Sequence, residues 1–71
     1  MKKYLVIFEK TATGYSAYSS DIPGCIATGR TKGDTEKNMY EAIQFQLEGM
    51  KEEGLKPPKR ASEAELYAFA D

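Results

Sequence analysis

The side chains that could do chemistry in this sequence are few: one thiol, Cys25, and a scatter of carboxylates that includes Glu9, Asp21, Glu36, Glu41 and Glu48. The 71-residue chain contains no histidine. That removes a Ser-His-Asp or Cys-His nucleophile pair, a histidine general base and a Cys/His zinc site. Without such a base, Cys25 reads as a small residue filling a strand position rather than as a thiol nucleophile. Paired carboxylates can hold Mg²⁺, but nothing in the spacing of these acids makes them converge. Glu41, Glu48 and Glu52 share the outer side of a helical stretch, where a charged row is a solvated face. Gly14, Gly24 and Gly29 form no phosphate-loop pattern and read as turn residues. No catalytic, metal-binding or cofactor-binding residue is assigned, and no cofactor is expected. What remains is contact chemistry: Tyr18 and Phe45 are the candidates for binding a partner.

Length and charge limit how such contacts can be presented. A chain of 71 residues is read as one domain, 1–71, close to the size at which a single core barely holds a fold. Association with a partner or with itself would add stability. With 10 basic and 11 acidic residues the formal charge is -1, so there is no basic field to draw phosphate backbones, and direct nucleic-acid binding is not expected. One cysteine makes no internal disulfide, and the N-terminus lacks the apolar run and cleavage site of a signal peptide. No segment approaches a membrane span. These features describe a soluble, cytoplasmic protein.

The elements that must position the contacts are organised around Asp21 to Thr31. Pro23 presets φ for a turn and Gly24 supplies the positive φ of its third position, so Ile22 to Cys25 reverses the chain. Cys25 to Arg30 then reads as a short strand. Thr31, followed three residues later by Asp34, resembles a capping box that starts a helix. Before the turn, Lys2 to Lys10 alternates with apolar residues on both faces, Tyr4, Val6 and Phe8 on one and Leu5 and Ile7 on the other. Thr11 to Gly14 is a hairpin loop. Tyr15 to Ser20 returns with Tyr15, Ala17 and Ser19 toward the core and Tyr18 on the wetter face.

After the turn, Lys32 to Glu53 carries a helical stripe of Met39, Ala42, Ile43, Leu47 and Met50 that should lie on the sheet, over a length of about 30 Å. Gly33 weakens its first turn by roughly 1 kcal/mol relative to alanine, so Asp34 is an alternative cap. Gly54, with Leu55 next and prolines at 57 and 58, fits a left-handed C-terminal cap. Ala61 to Asp71 is ambiguous: its alanines and the Ser62/Glu65 spacing favour helix, while Leu66 to Ala70 alternates like a strand.

Taken in order, Gly14-Tyr15, Asp21-Ile22-Pro23-Gly24-Cys25, Gly29-Arg30-Thr31, Tyr40-Glu41-Ala42-Ile43, Leu47-Glu48-Gly49, Gly54 and the two prolines resemble the HicB antitoxin family over most of the chain. The resemblance implies an α+β fold of βββαβ order, a partial ribonuclease H-like domain with one helix on one face of an antiparallel sheet. It also implies that the tail from Leu66 is a strand. As to function, it implies a non-enzymatic antitoxin that binds and masks a small basic RNA-cleaving toxin, HicA-like, of a type II toxin-antitoxin pair. The competing reading is a homo-oligomeric regulatory or small-ligand-binding module of the same fold with no toxin. Many relatives carry a C-terminal DNA-binding segment. The sequence shows none after Leu66, so self-regulation by direct DNA binding is not expected.

Overall fold

The computed structural model describes residues 2–70. Strands β1 (Ile7–Lys10), β2 (Tyr15–Tyr18) and β3 (Ile26–Gly29) form one antiparallel sheet in the order β1-β2-β3, followed by helix α1 (Lys32–Glu52). The class is α+β, with the helix lying across β3 and β2. The helix leaves β1 as an open edge on its side of the sheet. No helix among the described residues is long and apolar enough to cross a membrane.

Each reversal has a local cause. The first hairpin closes where Thr11 N–H donates to the Gly14 carbonyl at 2.8 Å. Gly14 is needed there for room rather than for its φ, since a Cβ would run into the backbone at Gly29 and Arg30. The second turn closes through Cys25 N–H to the Ile22 carbonyl at 3.3 Å, with Gly24 at φ 77 behind Pro23. Thr31 is the helix N-cap: its side-chain oxygen accepts from Asp34 N–H at 3.0 Å, and Asp34 itself lies within the first turn, where its charge suits the helix dipole. At the other end Gly54 N–H reaches the Lys51 carbonyl and Leu55 N–H the Met50 carbonyl, at 3.1 and 2.8 Å. This paired pattern around a glycine at φ 74 is a Schellman motif, and it satisfies carbonyls the helix end would leave free.

The core is small. Ala17, Ile22, Cys25 and Met39 are buried, with Tyr4, Val6, Phe8, Ala27, Ala42 and Ile43 packed around them. Thr35 is fully buried beneath the helix start, where its hydroxyl donates to the Thr31 carbonyl at 2.8 Å and so meets no unsatisfied partner.

Two expectations are corrected. The first strand is shorter than Lys2 to Lys10, because β2 ends at Tyr18, opposite Ile7, and the chain beyond it turns away. Leu5 N–H instead donates to a side chain, the Asp21 carboxylate, at 3.0 Å. The final strand of the βββαβ order is not formed either: residues 55–70 contain neither strand nor helix. A strand has no hydrogen bonds of its own and must borrow an edge, and an isolated helix of this length is marginal in water. Residues 63–70 are exposed, and the radius of gyration is 14.0 Å against about 11 Å for a compact chain of this length.

Candidate functional site

The sheet face away from the helix carries an apolar row built by strand register. Ile7 stands opposite Tyr18, and Tyr18 opposite Ile26, so one residue from each strand aligns across the sheet. Tyr18 is 39% exposed and Ile26 69%. The next row on the same face, Glu9, Ser16 and Thr28, is polar. Such a face offers one stripe for burial against another protein with hydrogen-bonding groups beside it, the usual make-up of an interface core and rim. Ile26 escapes sequence reasoning because it lies eight residues from Tyr18 and joins it only through β2–β3 pairing.

Phe45 is 79% exposed, on the helix surface turned away from the buried Thr35 and Met39. It lies on a different layer from Tyr18, and the fold does not unite the two aromatics in one surface.

A second apolar feature runs between the open edge of β1 and the helix. This groove, about 470 Å³, is lined by Tyr4, Val6 and Phe8 on the strand side and by Met39, Tyr40 and Ile43 on the helix side, among others. Lys32 bridges the two elements, its ammonium 5.4 Å from the centre of the Phe8 ring, within range of a cation–π attraction. Alternation in the sequence gave the strand half of this lining its common face. The exposure of Tyr40, at 70%, follows from the helix packing over β3 and leaving its flank beside β1 uncovered.

Asp21 is the main polar site of the molecule and its role is structural. One carboxylate oxygen accepts from Leu5 N–H at 3.0 Å; the other accepts from Ala61 N–H at 2.9 Å and Ser62 N–H at 3.1 Å. The lead-in to β1, the turn and the base of the tail meet on this one side chain, and Tyr4 adds a hydrogen bond from its hydroxyl to the Pro58 carbonyl at 2.8 Å. The Leu5 amide, then the Ala61 and Ser62 amides, with a smaller contribution from Arg60, hold the Asp21 carboxyl below the ordinary carboxylate range. The sequence reading placed Asp21 in a turn; the clasp spans 41 residues, a separation no local pattern reveals. Cys25 is buried, and desolvation pushes its thiol up, which leaves it a poor nucleophile. Among the described residues, no three Cys, Asp or Glu side chains gather closely enough to hold a metal ion.

Comparison with known proteins adds three findings. Residues 4–70 match the family model of the HicB_like antitoxin of bacterial toxin-antitoxin systems. Among curated proteins, the chain is 36% identical over 68 residues to a UPF0150 protein of Thermoplasma acidophilum, covering 93% of this chain and 99% of that one. It is also 39% identical over 56 residues to an uncharacterized 14.9 kDa protein from the rep-hol intergenic region of Haemophilus phage HP1. That match covers 79% of this chain but only 42% of the phage protein. Among solved structures, a chain of a HicA3 and HicB3 toxin-antitoxin complex superposes with a TM-score of 0.69 at 33% identity, over 84% of this chain and 70% of the other.

Proposed function

The chain belongs to the HicB-like antitoxin family, and from that premise we propose that it binds a small basic, HicA-like toxin and masks the surface with which the toxin attacks RNA. The observation that carries this reading is its likeness in fold and sequence to a chain of a toxin-antitoxin complex. The proposed contact is the Ile7, Tyr18 and Ile26 row, a sheet face that no element among the described residues covers. Tyr18 stands at its centre. Phe45 is proposed as a separate contact on the helix. The protein acts here by occlusion and not by catalysis, so its effect on the toxin is stoichiometric.

Mechanistically, a flat apolar row gains affinity by excluding water, while the neighbouring Glu9, Ser16 and Thr28 row supplies polar groups and one negative charge toward a basic partner. The test is co-purification and growth rescue with a HicA-like toxin expressed beside the protein. Tyr18→Ala and Ile26→Ser should each weaken capture, by roughly tenfold or more if these are central contacts, while leaving the helical circular dichroism unchanged. Full-strength capture by the Tyr18/Ile26 double variant would move the interface elsewhere, with Phe45→Ala the next site to examine. Failure of the unaltered protein to bind such a toxin would remove the reading itself.

A further inference from the structure

We propose that the concavity between the β1–β2 loop and the end of β3 binds a phosphate oxyanion, free or carried on a small molecule, with Arg30 as its charged anchor. This space, about 370 Å³, is lined by Thr11, Thr13, Tyr15, Thr28, Gly29 and Arg30. It shares no lining residue with the apolar groove beside β1, and its size falls within that of small-ligand clefts, about 300–1,000 Å³. Thr11, Thr13, Tyr15 and Thr28 bring hydroxyls, Arg30 brings a guanidinium, and no carboxylate is among the lining groups.

That donor set selects the ligand. A guanidinium keeps its proton and repels cations, which excludes a metal ion. An apolar molecule would leave the hydroxyls without the hydrogen bonds they make to water. Arginine presents a planar fork that matches phosphate oxygens in pairs, and each hydroxyl can turn its proton toward a further oxygen. A carboxylate would be used up by the fork alone, whereas a phosphate has oxygens left for the hydroxyls. Glu9, the acid of the adjoining sheet row, stands on β1 with Ser16 of β2 between it and Thr28. Two strand spacings are about 10 Å, beyond the screening length of about 8 Å at physiological salt, so its repulsion is weak.

Both walls are held by contacts that need no ligand. The loop closes through Thr11 N–H to the Gly14 carbonyl, and because Gly14 has no side chain it lies close against the backbone of Gly29 and Arg30. Tyr15 pairs with Gly29 across β2 and β3, and the Asn38 side-chain amide donates to the Thr28 carbonyl at 2.9 Å. Fixed walls cut the ordering cost of binding and leave the exposed Arg30 as the main group to be immobilised. One guanidinium and a few hydroxyls, open to water on one side, suit a dissociation constant in the millimolar range. The site goes beyond toxin binding, and its test contains no toxin.

The experiment titrates the full isotope-labelled chain with inorganic phosphate at constant ionic strength, and in parallel with a nucleoside monophosphate and with chloride, following amide shifts by NMR. Saturable shifts confined to residues 11–15 and 28–30 are expected with phosphate. Arg30→Gln should weaken binding by roughly tenfold or more. Arg30→Lys, which keeps the charge without the fork, should weaken it less, and Lys56→Gln, the same loss of charge outside the site, should leave it unchanged. Tighter binding of the monophosphate than of inorganic phosphate would identify an ester as the natural source, and equal binding free phosphate; either result supports the site. Shifts that fail to saturate, that chloride reproduces or that survive Arg30→Gln would show an adventitious ion only and overturn the proposal.

Discussion

Asp21 holds three chain segments through one carboxylate, so its ionisation is linked to folding. Hydrogen bonds from the Leu5, Ala61 and Ser62 amides favour the charged form, and the folded carboxyl lies below its ordinary value of 3.8. The native state thus binds fewer protons at this site than the unfolded chain. Its contribution to stability is complete above the ordinary value and is lost as pH falls through the depressed one. The Leu5, Ala61 and Ser62 amides should lose hydrogen-exchange protection in that acid window before β2 does. Asp21→Asn, which turns an NH₂ group toward N–H donors, should remove that acid-dependent step and lower protection at neutral pH; an unchanged acid profile would contradict the clasp. Cys25 gives a second residue-level prediction. Buried and with its thiol pushed up, it should react with a disulfide reagent only as the protein unfolds, so its labelling rate should rise with urea; rapid labelling of the folded protein would refute its burial.

At the scale of elements, stability rests on how the helix begins and how closely it meets β3. Thr31→Ala removes the cap received by Asp34 N–H and should cost about 1 kcal/mol, or a fall in Tm of roughly 4–8 °C for a chain of this size. Thr31→Ser should nearly restore it. Gly29→Ala tests the approach of strand to helix: the added Cβ would lie 2.6 Å from Thr35 Oγ1 and 2.8 Å from its nitrogen. Such overpacking costs about 1–3 kcal/mol. The opposite sign is expected at Gly49, in the same helix with nothing within 4 Å of a new Cβ, where alanine should stabilise by about 0.5–1 kcal/mol. Thermal melts of the four variants check the ordering, and a Gly29→Ala protein as stable as the Gly49→Ala protein would refute it.

Among the described residues there is one helix for a sheet with two faces, and residues 63–70 are exposed. The uncovered sheet face is proposed to meet a toxin. Two-metal hydrolysis of RNA requires several carboxylates around ions about 4 Å apart, and the acids of this chain are dispersed over strands, helix and tail. The purified protein should leave RNA intact with Mg²⁺ or Mn²⁺ added. Divalent-dependent cleavage that is abolished by Glu9→Gln would show otherwise.

Much of the fold was legible because its causes are local. Pro23-Gly24, Thr31 with Asp34 and Gly54 act within a few residues of themselves, and the Met39, Ala42 and Ile43 stripe repeats at the helical period, so the turn, the helix and its C-terminal end follow from sequence, while the choice of Thr31 over Asp34 as its cap did not. The sheet register was not legible, since it aligns Ile7, Tyr18 and Ile26 through lateral pairing that strand propensity does not specify. Nor was the Asp21 clasp, whose partners lie far along the chain. The tail marks the boundary most clearly: alanines favoured helix, alternation favoured strand, and the folded chain formed neither. The sequence by itself determined which short segments turn, cap and bury a face, because those choices are settled by each residue and its neighbours. Only the tertiary structure decided which distant residues share a surface and left the tail without a partner edge, because a strand's hydrogen bonds and burial are supplied by whatever lies beside it.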